Sequence, residues 1–114
     1  MTIGRVMELL DAEAVTASCD PEKQIDTICG SDMMSDVLAF LKKDALLLTG
    51  LTNPQVSRTA EMLDIICICF IRGKKPTPEM IEMAEECGIV LLKSELRMFD
   101  ACGILYMERS SCHE

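Results

Sequence analysis

The sequence is poor in aromatic residues, histidine and positive charge. It contains no tryptophan, one tyrosine, three phenylalanines and a single histidine in 114 residues, and its formal net charge at pH 7 is -8. Nucleic acids and anionic membrane surfaces attract basic proteins, so neither is predicted as a partner. The one histidine, His113, lies near the end of the sequence. A catalytic pair of serine or cysteine with histidine is therefore not expected.

Long hydrophobic runs and catalytic motifs are also missing. The longest uninterrupted apolar run covers residues 65–71, far short of the roughly 20 residues that cross a membrane. Glu8 and Asp11 interrupt the N-terminal region, so no signal peptide is predicted and a cytoplasmic location is expected. The sequence holds no GxGxxG, GxxxxGK[ST], GxSxG or HExxH motif. No catalytic residue, no metal and no cofactor are predicted.

Sulfur-containing residues are abundant, with seven cysteines and nine methionines. An odd number of cysteines without framework spacing predicts free thiols in a cytoplasmic protein. Cys67 and Cys69 alternate within an apolar run, so we predict that both lie on one side of a buried strand and bind no metal.

The methionines also bear on assembly. They are too numerous to fit together in one small core, so an exposed apolar patch is expected; those concerned include Met33, Met34, Met62, Met80, Met83 and Met98. Such patches mark protein contacts, and a homodimer is the commonest arrangement of identical chains. We predict a homodimer, with a separate regulatory protein partner as the alternative.

Helical and apolar segments alternate along the sequence. Helices are predicted over 2–10 and 32–42, after Pro54, after Thr77, and after Ser94, which is predicted to cap the last helix. That helix carries apolar residues at helical spacing: Leu96, Phe99, Cys102 or Gly103, and Tyr106. Strands are predicted over 13–17, 25–30, 45–49, 65–71 and 89–92. This order predicts an α/β fold, a three-layer Rossmann-like domain with a mostly parallel sheet and helices on both faces. Residues 1–108 would form one domain and residues 109–114 a flexible polar tail.

Small polar and basic residues follow the predicted strands. In a parallel sheet these positions share one edge, where ligands bind and where helix N-termini favour anions. We predict a binding site for a small anionic molecule at this C-terminal edge of the sheet, formed by Gly30, Ser31, Asp32, Thr49, Gly50, Thr52, Asn53, Arg72, Lys74 and Lys75. Helix capping and solvation alone would also account for these residues.

Asp32 and Asp36 form a second candidate. They are four residues apart within a predicted helix, so they would lie on one helix face, where paired carboxylates bind Mg²⁺ or act as acid and base. A favourable acidic first turn explains them equally.

Three stretches of the sequence resemble the DRTGG domain family: ICGSDMMSDVLAFLKKDALLLTGLTNPQVSRTAEMLDI, RGKKPTPEMIEMAEECGIVLLKS and MFDACGILY. The resemblance covers residues 25–106, and that family is similar to the N-terminal domain of HPr kinase/phosphorylase. Where the family has Thr-Gly-Gly, this sequence has Thr27, Ile28 and Cys29, followed by Gly30. The resemblance implies an α/β fold, self-association and a regulatory role, without kinase activity because the P-loop is missing.

These observations together predict a regulatory or ligand-sensing module without catalytic activity. It would act through self-association or a protein partner and would bind a small anionic ligand at the strand ends. The alternative is a small enzyme of unidentified reaction that uses the same strand-end site.

Overall fold

The computed structural model describes residues 1–40 and 43–112 of the chain. Along the chain the elements are α1 (Ile3–Leu10), β1 (Glu13–Ala14), β2 (Thr27–Gly30), α2 (Met34–Phe40), β3 (Ala45–Thr49), α3 (Pro54–Met62), β4 (Ile65–Phe70), α4 (Pro78–Cys87), β5 (Val90–Lys93) and α5 (Met98–Cys112). No helix within these residues is long and apolar enough to cross a lipid bilayer.

The described strands form a single five-stranded sheet in the order β1-β5-β4-β3-β2. Strands β2 to β5 are all parallel, and the short β1 pairs antiparallel with β5. The mostly parallel α/β sheet predicted from the sequence is therefore confirmed. The apolar runs at residues 45–49, 65–71 and 89–92 form parallel neighbours within it. Leu46, Leu47 and Leu48 of β3 are completely buried, because a central strand has helices on both sides.

The two faces of the sheet are covered by different helices. Helices α1 and α5 pack against one face, which includes Leu46, Leu48 and Leu92. Helices α2, α3 and α4 pack against the other face, around Leu47 and Phe70. This gives the predicted three layers.

Cys67 and Cys69 both lie in the α1–α5 face of the sheet and are fully buried, as predicted. They are free thiols, together with Cys19, Cys29, Cys87 and Cys102. The side chain of Cys112 and the residue His113 lie outside the described part of the chain.

Several helix ends lie at the capping residues of the sequence. The Thr2 hydroxyl accepts the Arg5 backbone N–H at the start of α1, and Thr77 does the same for Met80 in α4. Gly88 ends α4 with a φ of 74°, a left-handed conformation that glycine adopts without steric cost.

Two predicted helix starts were wrong. Helix α2 begins at Met34 instead of residue 32, and the predicted end at residue 42 lies outside the described residues. Ser94 does not cap the last helix, because it is buried and its hydroxyl donates to the Leu10 carbonyl oxygen at 2.7 Å. Helix α5 begins four residues later and continues to Cys112, beyond the predicted domain end at residue 108.

The apolar spacing predicted for the last helix does not coincide with the buried face of α5. Ala101 and Leu105 are buried, whereas Phe99 and Tyr106 are exposed to solvent. Apolar residues occur on all sides of this helix, so their spacing alone does not define its buried face.

Candidate functional site

Asp32 lies at the centre of a hydrogen-bonded cluster at the carboxyl ends of β2, β3 and β4. Its Oδ1 atom accepts a hydrogen bond from the Thr49 hydroxyl at 3.0 Å and another from the Gly50 backbone N–H at 2.7 Å. Its Oδ2 atom faces the Arg72 Nη2 atom at 3.4 Å. We call Asp32, Thr49, Gly50 and Arg72 the Asp32 cluster. The predicted strand-end residues therefore meet around one carboxylate.

The turn after β2 aims Asp32 into this cluster. The Ser31 backbone N–H donates to the Leu48 carbonyl oxygen at 3.0 Å, which extends the sheet pairing by one residue. The Ser31 hydroxyl then accepts the Met33 N–H at 2.9 Å, a local turn that competes with helix formation. Helix α2 consequently starts after Asp32, and the carboxylate points back toward β3.

Arg72 reaches the cluster from a tight turn after β4. Its φ of 58° is followed by a φ of 66° at Gly73, and positive φ is uncommon for a residue other than glycine. The turn is fixed to the end of β5, because the Arg72 N–H donates to the Leu96 carbonyl oxygen at 2.8 Å and the Gly73 N–H donates to that of Ser94 at 2.9 Å. The backbone therefore holds Arg72 in place, while its side chain remains partly exposed.

The ionisation of Asp32 follows from these contacts. Partial burial alone would raise the pKa of its carboxyl group, but the hydrogen bonds from Gly50 and Thr49 and the nearby guanidinium outweigh this effect. The pKa of Asp32 therefore lies below its usual value, and the group carries a full negative charge at neutral pH.

Some of the hydrogen-bond donors at the predicted anion site are already engaged by a carboxylate of the chain. Gly50 and Arg72 are both among the predicted site residues, and the Gly50 N–H and the Arg72 guanidinium already face a carboxylate of the chain itself. The sequence named Asp32 as one member of the site but did not indicate that it would accept these hydrogen bonds. The sequence feature that could have indicated these hydrogen bonds is the pair Thr49-Gly50 at the end of a buried strand, because it offers a hydroxyl and a backbone N–H at one point.

The other predicted site residues lie around the cluster rather than in it. Asn53 caps α3 by accepting the Gln55 N–H at 3.0 Å, and Thr52 is half-buried just before it. Lys74 and Lys75 are exposed in the loop after Arg72. Gly30 lies beneath α5, where an added β-carbon would be 2.5 Å from Cys102 Sγ.

The predicted pairing of Asp32 with Asp36 on one helix face was wrong. Asp32 precedes α2, whereas Asp36 lies within it and is exposed. The described residues contain no group of three or more histidine, cysteine, aspartate or glutamate side chains that could hold a metal ion.

The sequence matches no family model and no curated protein. The fold is similar to a solved structure of the CBS and DRTGG domains of the regulatory region of Clostridium perfringens pyrophosphatase, complexed with its activator diadenosine tetraphosphate. The TM-score is 0.71 at 17% sequence identity, and the match covers 90% of this chain and 45% of that chain. The match thus spans less than half of that solved chain, and the likeness establishes the fold.

Proposed function

We propose that this chain is a regulatory module related to the DRTGG domains, which senses a small anionic ligand and has no catalytic activity of its own. The observation that carries the proposal is the Arg72 guanidinium, exposed at the carboxyl edge of the sheet and held by a long 3.4 Å contact to Asp32. The similar fold of a pyrophosphatase regulatory region and the resemblance of the sequence to the DRTGG family support the same function.

Asp32 acts in this proposal as an internal counter-ion for the ligand site. A phosphate group that binds Arg72 competes with the Asp32 carboxylate for the guanidinium, because both anions need the same donors. Asp32 lies two residues before α2, so its displacement would move the start of that helix. Ligand binding would thereby change the surface that α2 presents to a partner.

The ligand class that fits is a phosphate-bearing metabolite such as a nucleotide. Lys74 and Lys75 are exposed on the same loop as Arg72 and add positive charge to one edge of a chain whose net charge is -8. The solved regulatory region with the similar fold contains diadenosine tetraphosphate, which makes nucleotides with several phosphates the first to test.

An enzyme at this edge would need a general base. The lowered pKa of Asp32 makes it a weak proton acceptor near neutral pH, because bases are most effective when their pKa lies near the working pH. This disfavours the alternative of an enzyme that uses Asp32 as its base.

The proposed module acts through self-association or a regulatory protein partner. We also propose a cytoplasmic location, in which the cysteines stay reduced.

Calorimetric titration tests the ligand site. Inorganic phosphate, pyrophosphate, AMP, ATP and diadenosine tetraphosphate would be titrated into the native chain, Arg72→Ala and a control, Arg58→Ala, on the exposed side of α3. Loss of Arg72 should weaken binding by about 1.5–3 kcal/mol, or roughly 10–150-fold. Equal affinities of the native chain and Arg72→Ala, or binding of none of these compounds, would contradict the proposed site.

A further inference from the structure

Helix α5 presents an apolar ridge to solvent. Phe99 is 87% exposed, Tyr106 is 74% exposed and Met107 is 67% exposed, and monomeric proteins rarely leave large apolar patches exposed to water. Asp100 and Gly103 lie on the same side of the helix, since residues three and four apart share a side. We call Phe99, Asp100, Gly103, Tyr106 and Met107 the α5 ridge.

A groove lies on each side of this ridge. The larger, of about 710 Å³, runs between α5 and α1 and is lined by Leu9, Leu96 and Ile104 together with Asp100. The smaller, of about 310 Å³, lies between α5 and β2 and includes Ile28 and Tyr106. The apolar residues of the ridge line both grooves, and the charged residues Glu108 and Arg109 border them.

The structure of a single copy gives no reason for a glycine at position 103. Gly103 lies in the middle of α5, and a β-carbon added there would have no atom of the described residues within 4 Å, apart from its chain neighbours and the nearby backbone of its own helix. A glycine inside a helix costs about 1 kcal/mol relative to alanine, and among the residues that the structure describes no turn or close contact requires it. A close approach of a second backbone from outside would require it.

We propose that the α5 ridge is the interface of a homodimer in which two copies of α5 cross antiparallel at Gly103. This rests on the self-association included in the proposed function and names the surface that carries it. The ridge is symmetrical about its glycine: Phe99 and Met107 lie four residues before and after it, and Asp100 and Tyr106 lie three residues before and after it. A two-fold axis at Gly103 therefore places Phe99 against Met107 of the second copy.

The chemistry of the facing pairs is complementary. An aromatic ring and a thioether sulfur attract each other, which suits Phe99 and Met107. The same axis brings the Tyr106 hydroxyl of one copy toward Asp100 of the other, where it can donate to the carboxylate. Because Asp100 lines the larger groove, the ring of Tyr106 would fill that groove.

The available area agrees with a stable dimer. Aromatic side chains bury about 150–250 Å² each, so Phe99 and Tyr106 together supply at most roughly 300–500 Å² per copy. That is about half of the ~800 Å² that each partner contributes to a typical stable interface. Met107 and the apolar groove walls supply further area. A self-complementary surface of this kind fits a second copy of the chain better than an unrelated protein.

Sedimentation equilibrium across a concentration series tests this interface. Phe99→Lys and Met107→Glu should each raise the dimer dissociation constant by at least about tenfold, because each leaves a charge without a partner in the interface. Met62→Lys is the matched control, since Met62 is 72% exposed at the end of α3 on the other face of the sheet. It should leave the dissociation constant unchanged.

Mixing the two charged variants tests the antiparallel register. In a mixed dimer, Lys at position 99 of one copy faces Glu at position 107 of the other, while the second pair keeps its native residues. The equimolar mixture should therefore form dimers that neither variant forms alone. A mixture that stays monomeric would refute the register, and a native chain that is monomeric at its highest soluble concentration would refute the interface.

Gly103→Ala gives a second test, because the substitution should stabilise an unpartnered helix but weaken a dimer that crosses at this residue. In an unpartnered helix the alanine would raise the melting temperature, whereas at a close helix crossing it should weaken the dimer at least about tenfold. The calorimetric titration run on the same variants separates this interface from the ligand site. Ligand binding by a monomeric native chain would overturn the interface alone, and dimerisation without ligand binding would overturn the ligand site alone.

Discussion

The guanidinium group of Arg72 lies directly over the Cα atom of Gly50, in the space that a side chain at position 50 would occupy. Gly50 is not among the residues with positive φ, so alanine fits its backbone conformation. The absence of a β-carbon there is what admits Arg72 to Asp32.

Gly50→Ala should therefore weaken anion binding about as much as Arg72→Ala does. The added methyl group would push the guanidinium away from the cluster, while the long exposed side chain of Arg72 can swing outward. We expect the loss of stability to be less than about 1 kcal/mol. Calorimetric titration with the tightest-binding nucleotide, together with a thermal melt of each variant, measures both quantities.

The control for this effect is the double variant. If Gly50→Ala acts only through Arg72, adding it to Arg72→Ala should change the affinity by less than about 0.5 kcal/mol. Additive losses would mean that the glycine matters for another reason.

Asp32→Asn should lower stability at neutral pH by about 1 kcal/mol, because the hydrogen bonds from Gly50 and Thr49 lose their charged acceptor. The pKa of Asp32 is lowered in the folded chain. Its charge thus stabilises the fold at pH values above the ordinary pKa of 3.8, and this contribution disappears as the pH falls through the lowered value. The difference between the two proteins in urea unfolding should therefore narrow at acidic pH.

Asp36→Asn is the matched control for that experiment. Asp36 is exposed on the adjacent helix, so its replacement should change stability by no more than about 0.5 kcal/mol at neutral pH. Equal stability of Asp32→Asn and the native chain at pH 7 would argue against the cluster.

Gly30→Ala should destabilise the fold through α5 rather than through the ligand site. An added β-carbon would lie 2.5 Å from Cys102 Sγ and 3.0 Å from Met98 Sδ, and overpacking of this kind costs about 1–3 kcal/mol. The double variant Gly30→Ala/Cys102→Ala should recover much of that loss in urea unfolding. A Gly30→Ala protein with native stability but weaker ligand binding would show instead that Gly30 belongs to the site.

The buried thiols should make the fold sensitive to alkali. Burial raises the pKa of Cys69 from 9.0 to about 12 and raises that of Cys67 as well. Above pH 9 the unfolded chain loses these protons while the folded chain keeps them, so stability should fall by at most about 1.4 kcal/mol per pH unit for each thiol. Cys69→Val should reduce this slope, and an unchanged slope would contradict burial of the thiol.

Thiol labelling gives an independent measurement. Cys87 is exposed and should react quickly with a thiol reagent in the folded protein, whereas Cys67 and Cys69 should react only after unfolding. Peptide mass mapping of the labelled chain identifies which cysteines react at each stage.

The sheet was predictable because its strands are apolar on both sides. Continuous runs such as residues 65–71 indicate central parallel strands, and the capping residues Thr77 and Asn53 mark where helices begin. Edge elements were less predictable. Strand β1 has only two residues, so its pairing with β5 depends on tertiary contacts rather than on a local pattern.

The candidate site was predictable in place but not in detail. Topology brings the ends of parallel strands to one edge whatever their side chains are. Whether Asp32 belongs to a helix or turns back to Gly50 depends on a local competition, in which the Ser31 hydroxyl takes the Met33 N–H. The exposed face of α5 could not be predicted from the sequence, because apolar residues occur on every side of that helix.

The two faces of the sheet depend on different parts of the chain, and this affects how the protein folds during synthesis. Helices α2, α3 and α4 lie between the strands they cover, so that face can pack as soon as residues 27–93 are available. The opposite face needs both α1 and α5, which lie on either side of that segment in the chain. Until α5 has left the ribosome, Leu46, Leu48 and Leu92 lack half of their cover. A nascent chain stalled before residue 98 should therefore expose an apolar face of the sheet. Such intermediates are prone to aggregate, so this one should depend on chaperones.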